Sequence, residues 1–209
     1  GTRSTAVGAF ALTSPTTAND NTAVGYAALE NNTTGYYNTA VGRDAMEDNT
    51  TGNNNASLGT FALEANTTAS DNTACGYAAM VNNTEGFQNT ALGSNSLRTN
   101  TTGDNNVAVG YGALYSATTA NDNTAVGRDA LNDNTTGTRN TAVGAYSLDA
   151  NTSANDNTAF GYQTLTNLNA GNSNTAVGSN ALQECTASDN TAVGMHALKQ
   201  TTSGGYNTA

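Results

Sequence analysis

The chain predicts an all-β repeat solenoid, a parallel β-roll of about twelve 17-residue coils, and three observations carry that prediction. A glycine recurs at one fixed interval, at Gly8, Gly25, Gly42, Gly59, Gly76, Gly93, Gly110, Gly127, Gly144, Gly161 and Gly178, and Gly194 comes one position early. Each closes a phrase close to NTAVG, and each is followed four residues later by Leu or Met. Units this short cannot each build a core, so neighbours in sequence must stack as neighbours in space. The 209 residues are therefore one tandem array, 1–209, which begins and ends inside a repeat as a window of a longer fibre would. The composition alone, 36% hydrophobic with no Trp, suits disorder. A disordered tract, however, has no reason to hold an apolar residue at one phase through the whole chain.

Within NTAVG the alternation is that of a strand. The Val position carries Val7, Val24, Val41, Leu58, Cys75, Leu92, Val109, Val126, Val143, Phe160, Val177 and Val193, and is expected to face a core together with the Thr two residues earlier. The residue between them is Ala in every repeat except Ser57, which predicts close packing against something on the opposite face. The glycine then breaks the strand, and Leu or Met folds back as a second short strand. A polar return follows, often with its own glycine (Gly35, Gly52, Gly86, Gly103, Gly137, Gly171), which suits a positive backbone dihedral. A helical reading fails, because corner glycines and β-branched residues recur without three-to-four apolar spacing.

The Asn opening each phrase is predicted to stack into a structural amide ladder: Asn21, Asn38, Asn55, Asn72, Asn89, Asn106, Asn123, Asn140, Asn157, Asn174, Asn190 and Asn207. Two large apolar groups per coil make a thin core against the conformational entropy of ordering the whole repeat. Contact with other copies through the small Ala face is the economical supplement, and it predicts a homo-oligomer about a long axis.

NNVAVGYGAL at 105–114 and NTAVGYAAL at 21–29 resemble the head repeats of trimeric autotransporter adhesins, and similar repeats occur in phage tail-fibre-like proteins. The resemblance covers the whole chain. It implies a left-handed roll and an intertwined or side-by-side parallel homotrimer. Two features depart from that family: a period of 17 where about 14 is typical, and Thr in place of the first interior hydrophobic residue.

Six Lys and Arg against 16 Asp and Glu give a formal charge of −10, which repels nucleic acid and anionic membranes. No apolar run has the length of a membrane span. Cys75 and Cys185 lie six repeats apart, beyond disulfide reach, and suit a buried thiol and an incidental turn residue. The single histidine, His196, occupies a variable position of a solvated surface, and no acid/base constellation recurs, so no enzyme is expected. No metal or cofactor is expected either: the turn acids Asp20, Asp71, Asp122, Asp156 and Asp189 never fall in adjacent coils.

Sequons make Asn31, Asn32, Asn49, Asn55, Asn66, Asn82, Asn100, Asn134 and Asn151 candidate glycosylation sites in exposed turns. Candidate surface contacts are the aromatics after the corner glycine (Tyr26, Tyr77, Tyr111, Tyr162) and in the returns (Tyr36, Tyr37, Phe87). The function expected is a non-enzymatic extracellular fibre segment on a cell or virion surface, the head or shaft of an adhesin or a tail fibre. Its partners would be copies of itself, together with glycans or matrix proteins. An ice-binding solenoid is the rival, set aside because the regular Thr is expected to point inward with Val.

Overall fold

A computed structural model describes residues 3–14, 17–169 and 171–209. Twelve three-residue strands, from Thr5–Val7 to Thr191–Val193, pair in parallel and in sequence order as one sheet. Register is residue on residue: Thr22 pairs with Thr39, Ala23 with Ala40 and Val24 with Val41. The last pair, Thr175 with Thr191, absorbs the one shorter repeat, and an isolated bridge carries the ladder on from Thr191 to Thr208. The strands bound about eleven complete coils of an all-β parallel solenoid, with no helix among the described residues.

The two strand faces are the reverse of those expected. Ala23, Ala40, Ala91, Ala108 and their equivalents beyond the first coil are buried inside the coil, whereas Val and Thr point out; Val7 is 58% exposed and Leu58 53%. The cause is volume. Each coil encloses one Leu or Met and a set of Asn side chains, and the space left beside the strand holds only a methyl group. The strict Ala is thus a constraint of the coil itself, and the outer face is the one left without cover.

The stretch after the corner is not a second strand but a run of tight turns. Alternate residues there have positive φ, as at Asp44 (54°) and Met46 (50°). The Leu or Met position holds φ between 48° and 54° in every coil, an outlier for a bulky side chain. Strain of about 1–3 kcal/mol is offset by complete burial of the largest apolar group in the coil, Leu29 or Met46 for example. The corner glycines have φ from 128° to 145°, a region open essentially to glycine alone. The return glycines behave differently. Positive φ falls two residues later, at Tyr37, Asn54 or Gln88, and a Cβ at Gly35 would lie 2.5 Å from the Asn32 Oδ1.

Asparagine fills the rest of the interior in two ladders. In the first, Asn38 donates its backbone N–H to Asn21 Oδ1 (2.8 Å), and its Nδ2 donates to the Gly52 carbonyl (2.8 Å). Each amide therefore locks its coil to the one before and closes its own coil. The second ladder runs through Asn32, Asn49, Asn66, Asn83 and Asn100: Asn49 Nδ2 donates to Asn32 Oδ1 (2.8 Å) and to the Gly52 carbonyl (3.1 Å). At the next position stands Ala117, so the buried Asn100 Oδ1 accepts nothing, and the ladder resumes with Asn151 donating to Asn134. Ala117→Asn supplies the missing amide. It should stabilise the array by about 1 kcal/mol, read as a rise in denaturation midpoint. Leu168 and Cys185 continue this interior row, so Cys185 is a buried core residue, while Cys75 is half-buried on the outer face.

Candidate functional site

Three outward surfaces follow from this coil. The first is the outer sheet face. Thr leads ten of the twelve strands, with Ala56 and Val107 in the other two, and the Val, Leu, Cys or Phe rank lies beside it. Neighbouring strands sit about 4.8 Å apart. Leu58, Leu92 and Phe160 stand out from this rank, and a shallow groove of about 280 Å³ opens where Ala56 replaces Thr, lined also by Thr39, Val41, Leu58 and Cys75.

The second is the corner edge formed by the two residues after each corner glycine. Tyr26, Tyr77, Tyr111 and Tyr162 are each half-exposed there. Three of the four pack against a second ring. Phe10 meets Tyr26 edge to face (centroids 5.5 Å), Phe61 meets Tyr77 (5.9 Å) and Tyr146 meets Tyr162 (6.2 Å). The Arg43 guanidinium lies 6.0 Å from the Tyr26 ring and 5.5 Å from Phe61, and Arg128 lies 5.3 Å from Tyr146. Each arginine is paired with the next residue, Arg43 with Asp44 (2.9 Å) and Arg128 with Asp129 (3.1 Å).

The third surface is the return. Here Tyr36 and Tyr37 pack edge to face (5.2 Å) at a hollow of about 250 Å³ that also holds the Arg3–Asp20 ion pair (2.8 Å). Phe87 is exposed farther along, its N–H bonded to Asp104 (2.9 Å). A hydroxyl ladder runs beneath, with Thr50 donating to the Thr67 carbonyl (2.9 Å) and Thr67 to that of Thr84 (3.0 Å).

The sequon residues divide. Asn31 and Asn82 are exposed. Asn32, Asn49, Asn55, Asn66, Asn100, Asn134 and Asn151 are buried in the two amide ladders, so the folded surface offers no acceptor there. Their recurrence reflects an interior that needs an amide and a neighbouring row that needs a hydroxyl. The tell in the sequence is phase: Asn49-Thr50-Thr51-Gly52 recurs as regularly as the strand phrase.

Acidic side chains flank the corner edge. Burial, then Asp133 and Asp129, push the half-buried Asp149 up to about 6. Glu47 is raised by burial and then by Asp44, Asp48, Glu30 and Glu64; Glu64 is raised by burial, Asp44 and Asp48, against Arg43. An acid with a raised folded pKa leaves the native state holding more protons than the unfolded chain. Stability therefore rises as pH falls through about 6 toward the ordinary Asp value of 3.8. The melting temperature should be higher at pH 5 than at pH 7, and Asp149→Asn should remove much of that difference. Asp156, held down by its bond to Arg139 (2.6 Å), acts in the opposite sense: its contribution is lost as pH falls below the ordinary Asp value.

Among the described residues no group of three or more His, Cys, Asp or Glu is placed to hold a metal ion, and His196 is exposed. No family model, curated protein or solved structure matches the chain.

Proposed function

We propose that the chain is a segment of a non-enzymatic extracellular fibre that assembles with copies of itself through the outer sheet face. The observation that carries this reading is that face: in-register strands present Thr beside Val, Leu or Phe to solvent along the whole rod, with nothing covering them. Monomeric proteins rarely expose so long a continuous apolar strip. Protruding Leu58, Leu92 and Phe160 beside the notch at Ala56 suit interdigitation with protein side chains. Three parallel copies about a common axis is the arrangement that the adhesin-head resemblance implies, and a tail-fibre shaft would use the same packing. The rod's work is reach, rigidity and multivalent display on a cell or virion surface.

Sedimentation at low micromolar concentration should give an oligomer, and Val126→Asp with Val143→Asp should return a monomer with unchanged β circular dichroism. A bis-maleimide should couple Cys75 between copies while buried Cys185 stays unmodified. A wild-type monomer would refute the assembly.

The outward Thr also removes the reason for setting the ice-binding rival aside. A flat Thr and Val array at strand spacing is what ice recognition needs. Leu58, Leu92 and Phe160 interrupt the flatness, which favours a protein partner on this face. Thermal hysteresis from a monomeric sample would reverse that preference.

A further inference from the structure

We propose that the corner edge binds neutral glycan chains at two matching stations, Tyr26–Arg43–Asp44–Phe61 and Tyr111–Arg128–Asp129–Tyr146. The inference rests on the reading of the chain as an adhesive rod and names the ligand class for its edge.

The first argument is recurrence. In each station an aromatic and an Arg-Asp pair directly follow the corner glycines of two consecutive coils, a second aromatic stands one position further on in the third, and the second station repeats the first five coils further on. Other coils at this edge carry small polar pairs such as Ser94-Asn95 and Ser179-Asn180, so the fold itself asks for neither aromatics nor arginine. Tyr26 and Tyr111 are half-exposed, while Phe61 and Tyr146 are more covered but not buried, packed edge to face on Tyr77 and Tyr162. Small neighbours (Ala27, Thr60, Gly112, Ala145) stand beside each ring in the chain.

The second argument is chemistry. A pyranose offers an apolar C–H face and a rim of hydroxyls. The ring surface that the arginine leaves uncovered suits the former. For the latter, an exposed planar guanidinium donates from a fixed fork, held in place by the largely buried carboxylate beside it at 2.9 Å (Arg43–Asp44) and 3.1 Å (Arg128–Asp129). This pairing cancels the station's charge, and a chain of net charge −10 disfavours an anionic polymer. The ligand class is therefore neutral.

The third argument is spacing. Coils rise about 4.8 Å each, close to what one pyranose adds to an extended polysaccharide. Tyr26 and Phe61, roughly 10 Å apart on that rise, would contact alternate sugars of a chain lying along the rod. The two stations fall roughly 24 Å apart, within reach of one polysaccharide, so weak single contacts would add through avidity.

Isothermal titration of the full chain with cellohexaose, mannohexaose and maltohexaose, against hexagalacturonate as the anionic probe, tests this. At least one neutral hexasaccharide should bind with two sites per chain and millimolar affinity. Tyr26→Ser with Phe61→Ser should halve the stoichiometry. Adding Tyr111→Ser and Tyr146→Ser should weaken binding at least about tenfold, as should Arg43→Lys with Arg128→Lys if the planar fork matters. Absence of binding by every neutral probe, full binding by the four-residue variant, or a preference for hexagalacturonate that salt abolishes would each overturn the proposal. Sedimentation of the same samples separates the two readings, because the stations lie off the outer sheet face: a monomer that binds sugar retains this inference and discards the assembly.

Discussion

Gly93→Ala is expected to cost about 4 kcal/mol or more, from two separable causes. Gly93 has φ of 144°, and a Cβ there would sit 2.4 Å from the Gly110 carbonyl oxygen and 2.6 Å from its carbon. The neighbour cannot retreat, since the Gly110 N–H is bonded to the Leu92 carbonyl (2.8 Å) and the corner beyond it is built the same way. Gly194 is the control. Its φ is 133°, but the nearest atom to its added Cβ is 3.9 Å away. Gly194→Ala therefore carries the dihedral penalty alone and should cost about 1–3 kcal/mol. In a quasi-one-dimensional array the position matters as well, because stability is a sum of coils and nearest-neighbour interfaces. A break at Gly93 should divide the rod into halves that melt separately, whereas Gly194→Ala should fray only the last coil. Hydrogen exchange across the chain distinguishes the two. Equal, small losses at both positions would show that the corner relaxes and that packing between glycines is not what fixes the residue.

The period, the strand phrase and the glycine corner were legible because one residue type recurs at one phase. The solenoid follows from that, since a period this short, with a glycine at each turn, suits a stack of coils and nothing larger. Which strand face is interior was not legible from alternation. Thr39 and Val41 share one face and Ala40 holds the other, and hydrophobicity favoured Val as core. Volume decides otherwise. The invariant small residue marks the crowded side, and Ser57, buried with its hydroxyl unpartnered, shows that side is not a solvated surface. The second amide ladder was hidden by coincidence with the sequon: Asn32 and Asn49 looked like acceptors because the residues after them are hydroxylated. The corner edge was half legible. Its aromatics stand out in the sequence, but Arg43 touches Tyr26 and Phe61 across coil boundaries, a full repeat away in each direction, and only the stack makes them adjacent.

The amide ladder carries the other large expected effect. Asn89 Oδ1 accepts the Asn106 N–H (2.9 Å) and the Asn106 Nδ2 (3.1 Å), while its own Nδ2 donates to the Gly103 carbonyl (2.8 Å). Asn89→Ala leaves the fully buried Asn106 N–H without its partner, at about 1–3 kcal/mol, leaves the Gly103 carbonyl with only the Asn100 amide (2.9 Å), and opens space that the stacked coils cannot close by moving independently. A loss of about 3–5 kcal/mol is expected, falling on coils either side of the substitution. Asn89→Asp separates the two halves of the role. The carboxylate keeps the acceptor for Asn106 but buries a charge and removes the donor to Gly103, so its pKa is driven up. The protonated acid restores a donor, so that variant should recover stability as pH falls while Asn89→Ala, lacking any new titrating group, tracks the wild-type profile. Parallel melts of the three proteins between pH 7 and pH 4 check this. If Asn89→Asp followed Asn89→Ala at every pH, the carbonyl of Gly103 would not depend on the amide, and the ladder's stabilising bond would be the one it accepts.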